Sequence, residues 1–287
     1  MKSFLYALGF FLLAPIVGGL LAGIDRRITA RMQSRFGPPL LQPFYDVFKL
    51  FEKETIVVRR SQNFYIWFFL LFAVFTGCLF FAGGDILLVI FGFTLAEVFL
   101  VLGAFKASSA YGAIGAEREL IQMMAVEPMV ILMAVGFYLA TGSFSIYNIA
   151  ANSEMLIKTL PGIFFGLIYV LTIKLRKSPF DLSTSHHAHQ EIVKGLTIEF
   201  SGPGLGLIEI AHWYEKILVL GFVYLFFATN PLWAILAVAV TYFFEMIIDN
   251  VFARYKWQKM LKMSWIVTAV FGLGNIIFLY VLSRTLQ

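Results

Sequence analysis

Eight apolar runs of roughly membrane-crossing length, at about 4–24, 64–82, 86–105, 127–141, 160–175, 207–228, 232–251 and 264–283, decide what this chain can become. A helix needs about 20 apolar residues to cross the hydrocarbon core, and a helix satisfies all its backbone amides there. The runs at 127–141 and 160–175 are short, so tilt or local adaptation of the bilayer is expected. Of 287 residues, 60% are hydrophobic and 14% charged, where a soluble domain carries about a quarter charged. The expected fold class is therefore all-α: a polytopic membrane protein of about eight transmembrane helices with cytoplasmic loops and a short amphipathic surface helix. No linker, low-complexity stretch or internal repeat divides residues 1–287, so one integral domain is expected.

Basic residues set the orientation. All but Lys2, Lys158 and Arg284 of the 22 lysines and arginines lie in or beside the segments that follow the first, third, fifth and seventh runs. Lysine and arginine mark cytoplasmic loops. Loops of about 25–63, 106–126, 176–206 and 252–263 are thus expected inside a cell membrane, with both termini outside. The net charge of +5 follows from this asymmetry and gives no reason to expect nucleic acid. In the first run the positive cluster comes after the apolar stretch, the reverse of a secretory signal, so that run is expected to remain as a spanning helix.

Ionisable groups in or beside membrane helices are functional candidates by default. Glu97 sits mid-helix with no basic residue within a turn, so its partner must come from another helix. Glu127, before Pro128, reads as the opening of the fourth helix, where a carboxylate suits the dipole. Glu117 and Glu119 flank Arg118 and read as a solvated charge cluster. Glu209, His212 and Lys216 share a face at i, i+3 and i+7, with Glu215 at its border; a helix end at the interface accounts for Glu215 and Lys216. Glu245 and Asp249, at i and i+4, lie on one face near a cytoplasmic end, where Arg254 and Lys256 offer salt-bridge partners. The densest set lies in 174–202, KLRKSPFDLSTSHHAHQEIVKGLTIEFSG. Its His186, His187 and His189 lack the i, i+4 spacing of a helical metal pair and have no cysteine beside them, so no metal site is assigned. Imidazoles there can pass protons or meet a partner. Cys78 is the only cysteine, which excludes an internal disulfide or thiolate cluster. In 40–54, LLQPFYDVFKLFEKE, the helical spacing of Phe44, Val47, Phe48 and Phe51 predicts an amphipathic surface helix.

Four blocks in order resemble a known family. They are Arg35-Phe36-Gly37-Pro38 with LLQPFYDVFKLFEKE; KASSAYGAIGAERE at 106–119; Ser178-Pro179-Phe180-Asp181-Leu182 followed by Glu191-Ile192-Val193, Gly195 and Glu199-Phe200-Ser201-Gly202; and RYKWQKMLKMSW at 254–265. The chain is similar over nearly its whole length to the membrane-anchor subunit shared by respiratory complex I and membrane-bound energy-converting nickel–iron hydrogenases. The STSHHAHQE version of the histidine loop, and Lys174 near a position where complex I carries a glutamate, look like the ferredoxin-linked hydrogenases of group 4.

The resemblance implies a charged path through Glu127, Asp181, Glu191 and Glu199, to which the residues themselves add Glu97, Glu209, His212, Glu245 and Asp249 as relay candidates. Arg35, Gln42, Asp46, Lys49 and the three histidines are candidates for docking partner subunits. The resemblance further implies hydrogenase large and small subunits, an iron–sulfur subunit and an antiporter-like membrane subunit as partners, with ferredoxin as donor. The nickel–iron and iron–sulfur centres would lie in those partners, none in this chain. Its expected role is anchoring and coupling to H⁺ or Na⁺ movement, without a catalytic residue of its own. Three rivals stand beside it: the quinone-site subunit of a complex I relative, a stand-alone transporter, and a passive anchor.

Overall fold

The computed structural model describes residues 2–54, 60–177, 179–180 and 195–285. It is 81% helical, and no strand occurs among the described residues. The helices are α1 Lys2–Met32, α2 Gln42–Phe51, α3 Arg60–Phe81, α4 Ile86–Lys106, α5 Ala110–Thr141, α6 Ile146–Ala150, α7 Leu156–Thr159, α8 Pro161–Lys174, α9 Gly202–Leu225, α10 Pro231–Val251, α11 Trp257–Val267 and α12 Gly274–Thr285. A π-helical stretch, Thr268–Leu273, joins α11 to α12 without a break, and a 3₁₀ turn, Gly195–Thr197, precedes α9.

Each of the eight apolar runs lies in one helix, the last in the α11–α12 composite. Six helices are long and apolar enough to cross a membrane: α1, α3, α4, α5, α10 and that composite. The 14 residues of α8 reach only about 21 Å at 1.5 Å per residue. The 24-residue α9 is long enough but carries the polar face expected of it.

The second polar segment is helical where its charges suggested a connection. Residues 110–126 are the first half of α5, which runs unbroken through Pro128. Ser109 caps it, its hydroxyl accepting from Gly112 N at 3.5 Å. Ala, Glu, Leu, Gln and Met fill this half, all strong helix formers; its charged residues hide it from a hydropathy reading. Glu127 therefore sits mid-helix and caps nothing. The 142–159 connection holds two short helices, α6 and α7.

Turn chemistry explains the end of the bundle away from the basic loops. Gly83 takes a left-handed φ of 82°, and Asp85 caps α4 by accepting from Leu87 N at 2.8 Å. Asn230 caps α10 in the same way, ahead of Pro231. The α8 N-terminus is capped from a distant element: Asn275 Oδ1 accepts from Gly162 N at 2.7 Å and Ile163 N at 3.2 Å. Beneath lies an aromatic core in which Phe226 meets Phe137 at 4.9 Å and Phe164 at 5.2 Å. The opposite, basic-loop end holds the polar groups.

Candidate functional site

The site grows out of the way α8 ends. Arg176 takes a left-handed φ of 56°, and Lys177 N donates back to Thr172 O at 3.0 Å. This is the reversal that ends a helix in a Schellman turn. A non-glycine residue there costs about 1–3 kcal/mol, so the surroundings must hold it. They do so electrostatically, because Lys174, Arg176 and Lys177 diverge toward four different helices.

Lys174 meets Glu97 of α4 in a buried salt bridge, its ammonium 4.4 Å from the Phe93 ring centre. Arg176 donates to Glu119 of α5 at 2.9 Å, and Gln122 holds the other Glu119 oxygen at 3.2 Å. Lys177, 3% exposed, donates to both Asp25 oxygens of α1 at 2.8 and 2.7 Å and faces Asp249 of α10 at 3.5 Å. Buried ion pairs are worth little net against an apolar replacement, yet removing one partner costs about 3–5 kcal/mol. Four such contacts from one tetrapeptide therefore fix the relative placement of α1, α4, α5 and α10.

Around the first two cations the carboxylates outnumber them. Glu215 of α9 is buried, where an exposed helix end was expected, and His212 Nδ1 lies 2.8 Å from its Oε2. Its other oxygen, and Glu97 Oε2, have no hydrogen-bond partner among the described residues. Glu209 and Glu215 add to the field at Arg176, and Glu127, half-buried, lies within electrostatic reach of Lys174 and Glu97. Burial alone would draw the Arg176 guanidinium down, but Glu119, Glu215, Glu97 and Glu209 outweigh it and hold it above its ordinary value.

The structure thus brings together Glu97, Glu127, Glu209 and His212, and separately Glu245 and Asp249. Glu199 approaches from a third direction. It is half-buried after the 3₁₀ turn, and its carbonyl accepts from Gln62 of α3 at 3.5 Å. That turn sits so close to α5 that a side chain on Gly115 would strike the Leu196 backbone. Gly202, at φ +56°, lets the chain turn into α9 against the Glu54 carbonyl. Asp181, Glu191, His186, His187 and His189 lie outside the described residues.

Among the docking candidates, Asp46 has an internal task. It accepts from Arg26 at 2.6 Å and from Gln42 at 2.9 Å, tying α2 to α1. Burial pushes the Asp46 carboxyl up, but these two hydrogen bonds and the Arg26 charge bring it below its ordinary value. Phe44 and Val47 of α2 face inward, the Phe44 ring tilted against Trp213 with centres 5.1 Å apart, while Phe48 is 64% exposed. Arg35 and Lys49 are exposed. Cys78 donates its thiol to Ala7 O at 3.6 Å, a packing contact between α3 and α1.

Asp25, Glu119, Arg176 and Lys177 escaped the relay assignment. The available signal was KLRK itself: three cations in four residues, at the end of an apolar helix, require carboxylates nearby. Glu119 was hidden because Glu-Arg-Glu looks solvated until the helix shows which of the three faces inward.

A helix-spanning charge hub at one end of an eight-segment bundle now has relatives to be set against. The model of the NADH dehydrogenase family matches residues 5–280. The chain belongs to the NADH dehydrogenase family. Within it, the chain is 27% identical to hydrogenase-4 component C of Escherichia coli (strain K12), over 96% of both chains. It is 26% identical to an NADH-quinone oxidoreductase subunit of Thermomicrobium roseum, over 94% of this chain and 93% of the relative. Among solved structures, a chain of the membrane-bound sulfane sulfur reductase, an archaeal respiratory membrane complex, superposes with a TM-score of 0.82 at 25% identity. That match covers 96% of this chain and all of the other. Family membership accords with a multi-pass membrane protein.

Proposed function

We propose that this chain anchors a cytoplasmic nickel–iron hydrogenase module fed by ferredoxin and couples hydrogen evolution, or its reverse, to movement of H⁺ or Na⁺. As a member of its family it is a membrane subunit of a complex I-like oxidoreductase. The finer reading draws support from the hydrogenase-4 relative and from the histidine-bearing loop. One observation carries the coupling role: buried Glu97, Glu119 and Glu215 share the cations of a tetrapeptide, Lys174 to Lys177, that immediately precedes the histidine-bearing segment in the chain. Displacing that loop changes which carboxylates are neutralised, and this converts a docking or redox event into a field change at buried groups. Large and small hydrogenase subunits and an iron–sulfur subunit would dock at the basic-loop end, with both termini on the far side. An antiporter-like subunit would receive the charge, and the metal centres would be theirs.

The test is ion pumping in inverted vesicles containing the whole complex. Glu127→Gln and Glu199→Gln should abolish pumping while partner subunits still co-purify; unchanged pumping in both rejects the relay. A second reading, a quinone-site subunit, is favoured by one feature. An apolar cavity of about 270 Å³ lies among α2, α3 and α9, lined by Phe51, Asn63, Ile66, Trp67, Pro203, Gly204 and Leu207. Bound quinone in the purified complex would favour it, and a partner carrying nickel and two CxxC motifs would favour the hydrogenase.

A further inference from the structure

The tetrapeptide also divides the ionisable groups into two sets, and in the second three carboxylates, Asp25, Glu245 and Asp249, gather around Lys177. This second set lies where α10 meets α1, α8 and α9. Tyr242, Glu245 and Asp249 follow one another at i, i+3 and i+7 on α10, a single stripe. From α1 comes Asp25; from α8, Thr172; from the turn after α8, Lys177; from α9, Lys216, which acts on Asp25. Leu21, Leu175, Leu220 and Met246 enclose the set with apolar walls.

Lys177 is committed unevenly. Its ammonium donates to both oxygens of Asp25 and only distantly to Asp249, while its side chain passes 5.9 Å from the Tyr242 ring centre. Tyr242 itself donates to Leu21 O at 3.3 Å, which fixes the α1–α10 contact beside it. Glu245, facing Lys177 and Asp249, is 0% exposed, and among the described residues its carboxylate has no partner closer than a loose contact with the Thr172 hydroxyl. A bare carboxylate in such surroundings is far costlier than any single hydrogen bond can offset. Either a positive ion sits on it, or Lys177 must leave Asp25 to serve it. A lysine's flexible four-carbon stem allows that exchange.

We propose that Glu245 is the binding residue for an exchangeable monovalent cation, a proton or Na⁺, and that Lys177 alternates between Asp25 and Glu245 as that cation binds and leaves. With the cation on Glu245, the ammonium stays on Asp25 and ties α8 to α1. With the cation gone, the ammonium swings to Glu245, releasing Asp25 and loosening that tie. No bond other than O–H, or a sodium–oxygen contact, forms or breaks. The proposal deepens the coupling role and rests on it, but its test uses no turnover, so the two can fail separately.

The test is infrared difference spectroscopy of the assembled complex, exchanged between H₂O and D₂O at neutral pH, with and without added Na⁺, together with radioactive Na⁺ binding. A deuterium-sensitive protonated-carboxyl band, absent in Glu245→Gln and unmoved by Na⁺, establishes the proton. Loss of the band on adding Na⁺, or Na⁺ binding that Glu245→Gln removes, establishes sodium. Lys177→Met should carry the band to higher pH, because removing a neighbouring positive charge disfavours the ionised carboxylate; a merely structural Lys177 would leave it in place. If Glu245→Gln does not assemble, Glu245→Asp gives the same information by shifting the band or weakening Na⁺ binding, and no change in either overturns the proposal. Wild-type complex with neither a Glu245-dependent band nor Glu245-dependent Na⁺ binding overturns the proposal.

Discussion

Replacing Lys174 by methionine tests whether the charge hub holds the bundle together. Glu97 and Lys174 have side chains only 8% and 10% exposed, so little water remains to replace a lost partner. At contact distance of about 3 Å and an effective dielectric of about 20, their attraction is roughly 5 kcal/mol. Removing one member of such a pair is expected to cost about 3–5 kcal/mol. Methionine keeps most of the stem volume, so cavity formation adds little, though the contact with Phe93 also goes, at about 1–2 kcal/mol. Glu97→Gln should lose less, because an uncharged amide can keep a hydrogen bond to the ammonium. The double variant, Lys174→Met with Glu97→Gln, should recover part of what Lys174→Met loses, since no bare charge is then left buried. The assay is denaturant midpoint in detergent for the four proteins, read by tryptophan fluorescence and assembled as a double-mutant cycle. Additive effects, or a Lys174→Met protein as stable as the parent, would refute the view that this pair is a buried electrostatic tie.

Glycine substitutions probe how the 195–201 segment is seated. Gly115→Ala forces a side chain against the Leu196 backbone and should cost about 1–3 kcal/mol while displacing Glu199; Gly9→Ala, with open space around it, should stay within about 0.5 kcal/mol. Thermal midpoints of the assembled complex distinguish them, and equal midpoints would disprove the seating. The depressed Asp46 carboxyl makes a pH prediction. Its contribution is present above the ordinary value of 3.8 and fades as pH falls through the lower folded-state value, so α2 should stay docked at pH 5. Because Arg26 and Asp46 are both 43% exposed, the pair is worth no more than about 1 kcal/mol. Limited proteolysis of the 33–41 connection should show faster nicking of Asp46→Asn than of the parent at neutral pH, the difference shrinking only as pH falls below 3.8; identical nicking at neutral pH counts against the clamp.

Much of the fold was legible because hydropathy is a local property. Each apolar run became helix, and the amphipathic pattern within 40–54 became α2. The failures share a cause. The first half of α5 looks like loop because Glu117, Arg118 and Glu119 depress its hydropathy, although its helix propensity is high. Glu127 looks like a cap because Pro128 favours a first turn, and only tertiary packing shows the helix carried through it. For the candidate site, periodicity placed Glu209, His212, Glu245 and Asp249 on their faces correctly, since i, i+3 and i+7 relations belong to one helix.

What the residue order settles alone is the number and length of the apolar segments, their turns, and the basic loops that face one side. It also demands that Glu97 find a partner elsewhere in the bundle. Which partner is a matter of three dimensions. Lys174 lies 77 residues from Glu97, Arg176 lies 57 from Glu119, and Lys177 lies 152 from Asp25. No spacing rule reaches that far. Those pairings follow from helix packing and from one left-handed residue at the end of α8, which sends Arg176 and Lys177 away from Lys174 so that the three cations reach four different helices.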